Sequence, residues 1–411
     1  VRPGVASRVA AAELLDRILL EGAYTNVVVP NRVSALEDRS RRQIQRLVLT
    51  AVRMLRRIDR TIAAYARRPP ARIDAVALAG LRIGVTEILF LTTPPHAAVD
   101  GAVAAVRERG GGRAAGFVNA TLRAVAAGGE PDLPAGIAGD ALRLGVPEWI
   151  LRRLSAAWGI EEARAFLEAS NHGAPIGVRA RPGAPAAGAP VPGIPGAFTG
   201  GAPAEVRRAR ERGEVVIADP ASVAVGLAAG PRPGDVVADV AAAPGGKTLH
   251  LWDLMEGRGV LLAMDRHARR ARSGRTRLAR LGVRVPWVVG DARRPPLAEN
   301  TFDLVLLDAP CTGLGTLRRR PEIRHRLRPG APAALGERQR AMVEAARRLV
   351  RPGGRLVYSV CTVFPEETVA VVAGMGAHPP EGLPGRRWGD GLLLAPHLTA
   401  TDGMFLAVVE R

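Results

Sequence analysis

The spacing of apolar residues changes once along this chain, and that change decides what it can fold into. From Ser7 to about Ala127 they recur at helical intervals, as in Ile44, Leu47, Val48, Val52, Leu55 and Ile58, with arginine filling the opposite face. Strand-like alternation is absent there. Further helices are expected over Ala75 to Phe90 and Ala97 to Arg107, with Pro94 and Pro95 breaking the chain between them. From Val215 onward short apolar runs alternate with helical stretches: Val236 to Val240, Val260 to Met264, Val285 to Val289, Phe302 to Leu307 and Arg355 to Ser359. Such alternation predicts a parallel α/β sheet that binds ligands beyond the carboxyl ends of its strands. The tail adds two strands, Gly391 to Leu394 and Gly403 to Val409, as a closing antiparallel hairpin.

Between Pro131 and Ala204 the signal weakens. A helical patch from Trp149 to Ala169 precedes a Pro/Gly/Ala-rich run from Pro182 to Pro203, which reads as a linker or an irregular insertion. The expected division is an all-α domain over 1–130, a small linker or substrate-binding subdomain over 131–205, and an α/β domain over 206–411. The first twenty residues carry no signal-peptide stretch, and no apolar run reaches bilayer length, so a cytoplasmic chain with no membrane partner is expected. Val1 is either an alternative start or the edge of a fragment.

Basic residues outnumber acidic ones by 58 to 39, a formal net charge of +19, which draws polyphosphate backbones by counterion release. The chain is rich in Ala, Gly and Arg, as a GC-rich coding sequence would make it; that bias explains arginine in place of lysine but not the excess of positive charge. Against this background the rare residues stand out. Lys247 is the one lysine, and Cys311 and Cys361 are the two cysteines. In a cytoplasmic chain they read as reactive or inert buried thiols rather than as a structural disulfide.

The first α/β strand ends in Asp239-Val240-Ala241-Ala242-Ala243-Pro244-Gly245-Gly246-Lys247-Thr248, followed by a helix expected to begin near Leu249. Small residues and glycines there let a ligand approach the backbone at a helix N-terminus. It is neither a Walker loop, since Ala241 stands where the first glycine belongs, nor the G-x-G-x-x-G fingerprint. The second strand ends at Asp265, where an acidic residue accepts from ribose hydroxyls, and the third at Gly290-Asp291, which either meets an adenine edge or caps a helix. Together the three strand ends describe an adenosine site. The fourth strand runs into Asp308-Ala309-Pro310-Cys311 and the fifth into Tyr358-Ser359-Val360-Cys361, so each delivers one thiol beside that site. No Cys or His spacing suits a metal, and the nucleophile elbow of a serine hydrolase is missing.

At these residues the chain resembles the Sun, or RsmB-like, family of RNA cytosine-C5 methyltransferases over nearly its whole length. The family's D-x-C-A-A-P-G-G-K-T signature is similar to Asp239 to Thr248, its D-A-P-C-S-G-x-G to Asp308 to Gly315, and its T-C-S-x-x-x-x-E to the stretch ending in Cys361 to Glu367. The stretches LRIGVTEILFLTTPPHAAVDGAV and GFVNATLRAV resemble a NusB-type RNA-binding domain, and PHLTATDGMFLAVVER resembles the family's terminal hairpin, with Asp402 and Gly403 in register. The chain departs at Ala241 for Cys, Thr312 and Thr362 for Ser, Val360 for Thr, and Thr368 for Asn.

The resemblance implies a Rossmann-like S-adenosylmethionine methyltransferase core preceded by an all-α NusB-like domain and a small linker subdomain. It implies that the cofactor contacts Ala241, Ala242, Ala243, Pro244, Gly245, Gly246, Lys247, Asp265, Arg270, Asp291 and Asp308, Arg270 matching the family's D-x-x-x-x-R. Cys361 would be the nucleophile that adds to carbon 6 of cytosine, and Cys311 the thiol that promotes release, with Asp308 and Lys247 beside them. The implied partner is RNA, 16S ribosomal rather than transfer RNA; no metal is expected from the residue spacing, and a monomer is the default expectation. Spacing alone says only that two thiols flank one cofactor site. A DNA cytosine methyltransferase with Cys311 as nucleophile, and a non-catalytic RNA-binding or assembly factor with a vestigial core, are the rival readings.

Overall fold

The computed structural model describes residues 3–411; Val1 and the question of the true start lie outside them. It divides into two units. The first runs to Asn171 and also takes in Arg319–Arg326; the second comprises His172–Arg318 and Leu327–Arg411.

The first unit is all helical. In the helix Asp38–Arg53 the buried positions are Ile44, Leu47, Val48, Ala51 and Val52, one stripe at helical spacing, while arginines take the outer face. Pro95 does not merely interrupt the chain: it opens the helix Pro95–Glu108, where its missing N–H costs nothing. The patch expected over Trp149 to Ala169 is two helices, Glu148–Trp158 and Ile160–Asn171, parted by Gly159 at φ +84°. Deep in this unit Arg8 donates to both oxygens of Glu87 at 2.6 and 2.8 Å, and a Cβ on Gly101 would meet the Arg8 guanidinium at 2.4 Å.

The segment Arg319–Arg326 supplies part of this unit's interior. Arg324 is fully buried, its Nη1 donating to the carbonyl of Leu144 at 3.1 Å and to Asn171 Oδ1 at 2.7 Å. Burial, with Arg53 nearby, lowers its pKa to about 9. Arg326 donates to the carbonyls of Ile18 and Ala23 at 2.8 and 2.6 Å, Thr25 N–H donates to Glu322, and Arg320 lies over the Tyr24 ring.

The second unit holds two sheets. Strands β1 (Gly177–Ala180), β2 (Gly188–Pro190), β3 (Ala197–Gly200) and β4 (Val215–Ile217) form an antiparallel sheet in the order β2-β3-β1-β4. The Pro/Gly-rich run is thus no irregular insertion: it contributes β2 and β3, pinned by Ile194 and Ala197, both 1% exposed. The larger sheet comprises β5 (Val236–Asp239), β6 (Val260–Asp265), β7 (Trp287–Val289), β8 (Phe302–Asp308), β9 (Val350–Val360), β10 (Ala377–His378), β11 (Arg386–Trp388), β12 (Gly391–Leu394) and β13 (Met404–Glu410).

Its order is β11-β12-β13-β9-β8-β5-β6-β7, with β10 also on β13. From β9 to β7 every pairing is parallel, as the alternating pattern predicts. The terminal hairpin pairs antiparallel, though a helical turn, Pro396–Thr399, occupies its connection, and β13 in turn pairs antiparallel with β9. Buried Val, Leu and Ala cover both faces of the sheet, as a parallel sheet sandwiched between helices requires. The reversal of strand order lies between β5 and β8, so the carboxyl ends of β5 and β8 flank the natural ligand crevice. Among the described residues no helix is long and apolar enough to cross a membrane.

Candidate active site

Beyond β5 the chain turns through Val240 to Gly245 and enters the helix Gly246–Leu254, three residues earlier than the apolar pattern suggests. The turn is tied to its neighbours by backbone groups. Ala242 N–H donates to the Met264 carbonyl at 2.8 Å, and Ala243 N–H to Asp265 Oδ2 at 3.3 Å. Gly245 sits at φ +92°, where a Cβ would fall 2.6 Å from Leu278, so only glycine fits. At Gly246 nothing stands within 4 Å of the Cβ position, and no side chain caps the helix that starts there.

Asp265 is buried and holds the next turn by accepting from His267 N–H at 2.9 Å. Arg270 donates to the Ala243 carbonyl at 3.0 Å and lies 4.0 Å from Asp265. Asp291 follows β7, and no helix follows it, so the capping alternative drops away. Its carboxylate is gripped by the side chain and backbone N–H of Arg293, which pulls its pKa down to about 2.

A cavity of about 200 Å³ opens beside the glycine turn, walled by Ala241 to Pro244, Gly246, Lys247, Asp239 and Asp308. Asp265, Arg270, Asp291, Cys311 and Cys361 are not among its walls. Its remaining lining includes five polar residues the sequence did not single out: Arg179, Asp219, Ser222, His250 and Arg277. Two are fixed by structure that short-range patterns hide. Arg179 pairs with buried Asp253 at 2.8 Å, and His250 is buried so deeply that its pKa falls to about 3 and its ring stays neutral. Asp219 was legible as the cap of the helix Pro220–Ala229, accepting from Ala221 N–H at 2.9 Å. On the cavity floor, burial pushes Asp239 up to about 7 despite the Thr248 hydroxyl at 2.7 Å, and its Oδ1 has no hydrogen-bond partner.

The thiols meet because β8 and β9 are neighbours in parallel register, Asp308 opposite Ser359. Each cysteine lies just past its strand, and the two Sγ atoms are 3.4 Å apart. Lys247 Nζ donates to Asp308 Oδ2 at 2.7 Å and Ser359 Oγ to Asp308 Oδ1 at 2.8 Å. The structure therefore gathers Lys247, Asp308, Cys311 and Cys361 around the ends of three strands.

The hydrogen bond to Cys361, then burial, then the charges of Cys361, Glu367 and Asp308 push Cys311 well above the ordinary thiol range. Burial alone would lower Lys247, but Asp308, Cys361 and Asp239 outweigh it and hold its pKa above the usual value. Val360, which stands in place of a threonine, is fully buried in the core with Tyr358 and Phe405, so its missing hydroxyl would not have met solvent.

The Cys311 loop is held from below by glycine packing. Gly315 N–H donates to the Cys361 carbonyl at 3.1 Å and Gly403 N–H to the Gly315 carbonyl at 2.8 Å. A Cβ on Gly315 would fall 2.0 Å from the Gly403 oxygen. We expect Gly315→Ala to cost about 1–3 kcal/mol by overpacking, read as a lower thermal midpoint. An unchanged midpoint would show that the loop gives way freely.

Three comparisons bear on this arrangement. Residues 227–410 match the family model described as 16S rRNA methyltransferase RsmB/F, and residues 5–127 match that of the NusB family. The chain is 30% identical to a ribosomal RNA small subunit methyltransferase B from Sodalis glossinidius over 97% of its own length and 96% of the relative's. It is 33% identical to a putative methyltransferase from Mycobacterium tuberculosis over 100% of its length and 97% of that protein. Of solved structures, PH0851 matches with a TM-score of 0.84 at 25% identity, covering 100% of this chain and 99% of that one. A methyltransferase homolog protein from Pyrococcus horikoshii matches with a TM-score of 0.57 at 28% identity, covering 68% and 100%. Among the described residues no three His, Cys, Asp or Glu side chains gather as metal ligands.

Proposed function

Because the chain belongs to the 16S rRNA methyltransferase RsmB/F family, we propose that it transfers a methyl group from S-adenosylmethionine to carbon 5 of a cytosine in 16S ribosomal RNA, with Cys361 as nucleophile. What supports the choice of nucleophile is that Cys361 is the thiol within electrostatic reach of Lys247, whose pKa it helps to raise, together with the family match. A DNA-type assignment would have Cys311 attacking instead.

The cavity fits the cofactor in its donor set. Asp239 Oδ1 is buried, unpartnered and suited to an ammonium group, and the helix that starts at Gly246 has no side-chain cap. Ala241 to Lys247, Asp239 and Asp308 would hold the amino-acid and sulfonium parts, and Asp265, Arg270 and Asp291 the adenosine. Bound there, S-adenosylmethionine supplies an electrophilic methyl on a sulfonium. The chain's own residues do the rest. Cys361 thiolate adds to carbon 6, and Asp308, charge-balanced by Lys247, accepts from the cytosine amino group as electron density moves toward carbon 5, which takes the methyl. After methylation the carbon 5 proton leaves to a base, and the electron pair expels the Cys361 sulfur. Cys311, a neutral thiol 3.4 Å away, assists that elimination.

The pKa of Asp239 makes the cofactor assignment testable. Only the ionised carboxylate accepts a hydrogen bond from an ammonium, and the ionised fraction rises with pH through the folded pKa of about 7. Affinity for S-adenosylmethionine should therefore rise about tenfold between pH 6 and pH 8, and Asp239→Asn should flatten the profile. Titration calorimetry measures both, and a flat profile in the unsubstituted protein would remove Asp239 from the site. The substrate itself is tested by bisulfite mapping of small-subunit ribosomal RNA from a deletion strain; a map that keeps every modified cytosine would sink the ribosomal assignment.

A further inference from the structure

We propose that Glu367 is a positioning residue that clamps the two thiol-bearing loops together and so fixes how Cys311 and Cys361 meet. The proposal rests on the reading of these thiols as the reacting groups. Glu367 is fully buried, and its carboxyl group reaches both loops. Its Oε1 accepts from the backbone N–H of Thr312 at 2.8 Å and its Oε2 from the Thr312 hydroxyl at 2.5 Å. The Thr362 hydroxyl lies 3.3 Å from the same Oε2 and 2.7 Å from the Thr312 hydroxyl. Thr312 follows Cys311 and Thr362 follows Cys361, so one side chain is bonded to the neighbour of each thiol.

The clamp is itself held. Gln339, from the helix Ala331–Leu349, donates to Glu367 Oε1 at 3.1 Å and to the carbonyl of Pro310, the residue before Cys311, at 2.9 Å. The Tyr358 hydroxyl donates to the Glu367 carbonyl at 2.8 Å and lies 3.2 Å from Gln339 Oε1. A clamp is needed here for a simple reason. The paired register of β8 and β9 ends at Asp308 and Ser359, before either cysteine, so the strands alone do not set the distance between the sulfurs. A displacement of about 1 Å between reacting groups can cost a hundredfold in rate.

The buried carboxyl group also adds charge beneath Cys311. The ionisable groups facing that thiol are Cys361, Asp308, Glu367 and Tyr358, with Lys247 beyond Asp308. Burial raises Glu367 itself, against the four hydrogen bonds it accepts.

Two substitutions separate clamp from charge. Glu367→Gln keeps the shape and most of the hydrogen bonds but removes the charge; Glu367→Ala removes both. The readouts are the rate of disulfide formation between Cys311 and Cys361 under diamide, and the pH midpoint of Cys311 alkylation by iodoacetamide in a Cys361→Ser background. We expect E367Q to oxidise at the unsubstituted rate within about twofold while its alkylation midpoint falls by about one pH unit. We expect E367A to oxidise about tenfold more slowly and to lose about a hundredfold in kcat, with the KM for S-adenosylmethionine unchanged. An unchanged disulfide rate in folded E367A overturns the proposal; if E367A does not fold, Thr312→Val, which removes a hydroxyl that the clamp holds, is read in the same way. Neither thiol readout requires RNA or methyl transfer, so their failure is distinct from a failure of the methylation reading.

Discussion

Cys361→Ser should abolish methyl transfer, by about four orders of magnitude or more, while Cys311→Ser should accumulate a covalent RNA adduct that survives a denaturing gel. Serine is nearly isosteric but is not ionised at neutral pH, so the addition to carbon 6 loses its nucleophile outright. In Cys311→Ser the addition still proceeds, because Cys361 and Lys247 are untouched. What is lost is the neutral thiol 3.4 Å from the departing sulfur, so the adduct forms faster than it resolves. Transfer of labelled methyl to small-subunit RNA and gel mobility read the two halves separately. Should Cys361→Ser stay fully active and Cys311→Ser fall silent, the roles are reversed and the site works in the DNA-methyltransferase manner.

Lys247→Met and Asp308→Asn should each slow single-turnover methylation by about a thousandfold, and the double substitution should be little worse than either alone. The two groups form a 2.7 Å ion pair with only 16% and 29% of their side chains exposed. Removing one partner leaves the other as an uncompensated charge, at a cost of about 3–5 kcal/mol for a buried pair. The rate loss follows because an unpaired Lys247 or Asp308 no longer balances charge moving through the cytosine ring. Non-additivity is the discriminating feature, since residues acting as a unit cannot be lost twice. Strictly multiplicative losses would mean that the lysine and the carboxylate act on different steps.

How much of this was legible in the sequence depends on how local the signal is. The parallel strands were readable because their apolar runs are continuous, and the thiols because both cysteines fall at strand ends. Glu367 appeared only as the last letter of a motif; its work depends on Thr312, 55 residues away, and on Gln339 from another helix. The antiparallel sheet built from the Pro/Gly-rich run was illegible for a different reason. Strand β2 is three exposed residues, without alternation, and becomes a strand only because β3 and β1 pair beside it. Composition misleads most at Arg324, where a run of arginines reads as solvated surface and the structure buries the side chain completely.

That buried arginine bears on ancestry. The helical unit is complete only with Arg319–Arg326, a stretch encoded well over a hundred codons downstream of Asn171 and directly after the Cys311 loop. A gene break at Asn171 would leave the amino-terminal product missing eight residues of its own interior, with Leu144 and Asn171 facing the gap. The two halves therefore cannot be shuffled like beads on a string. A recombinant that exchanged the catalytic half would import a foreign plug for the helical one, so selection should keep the two halves inherited as a single piece.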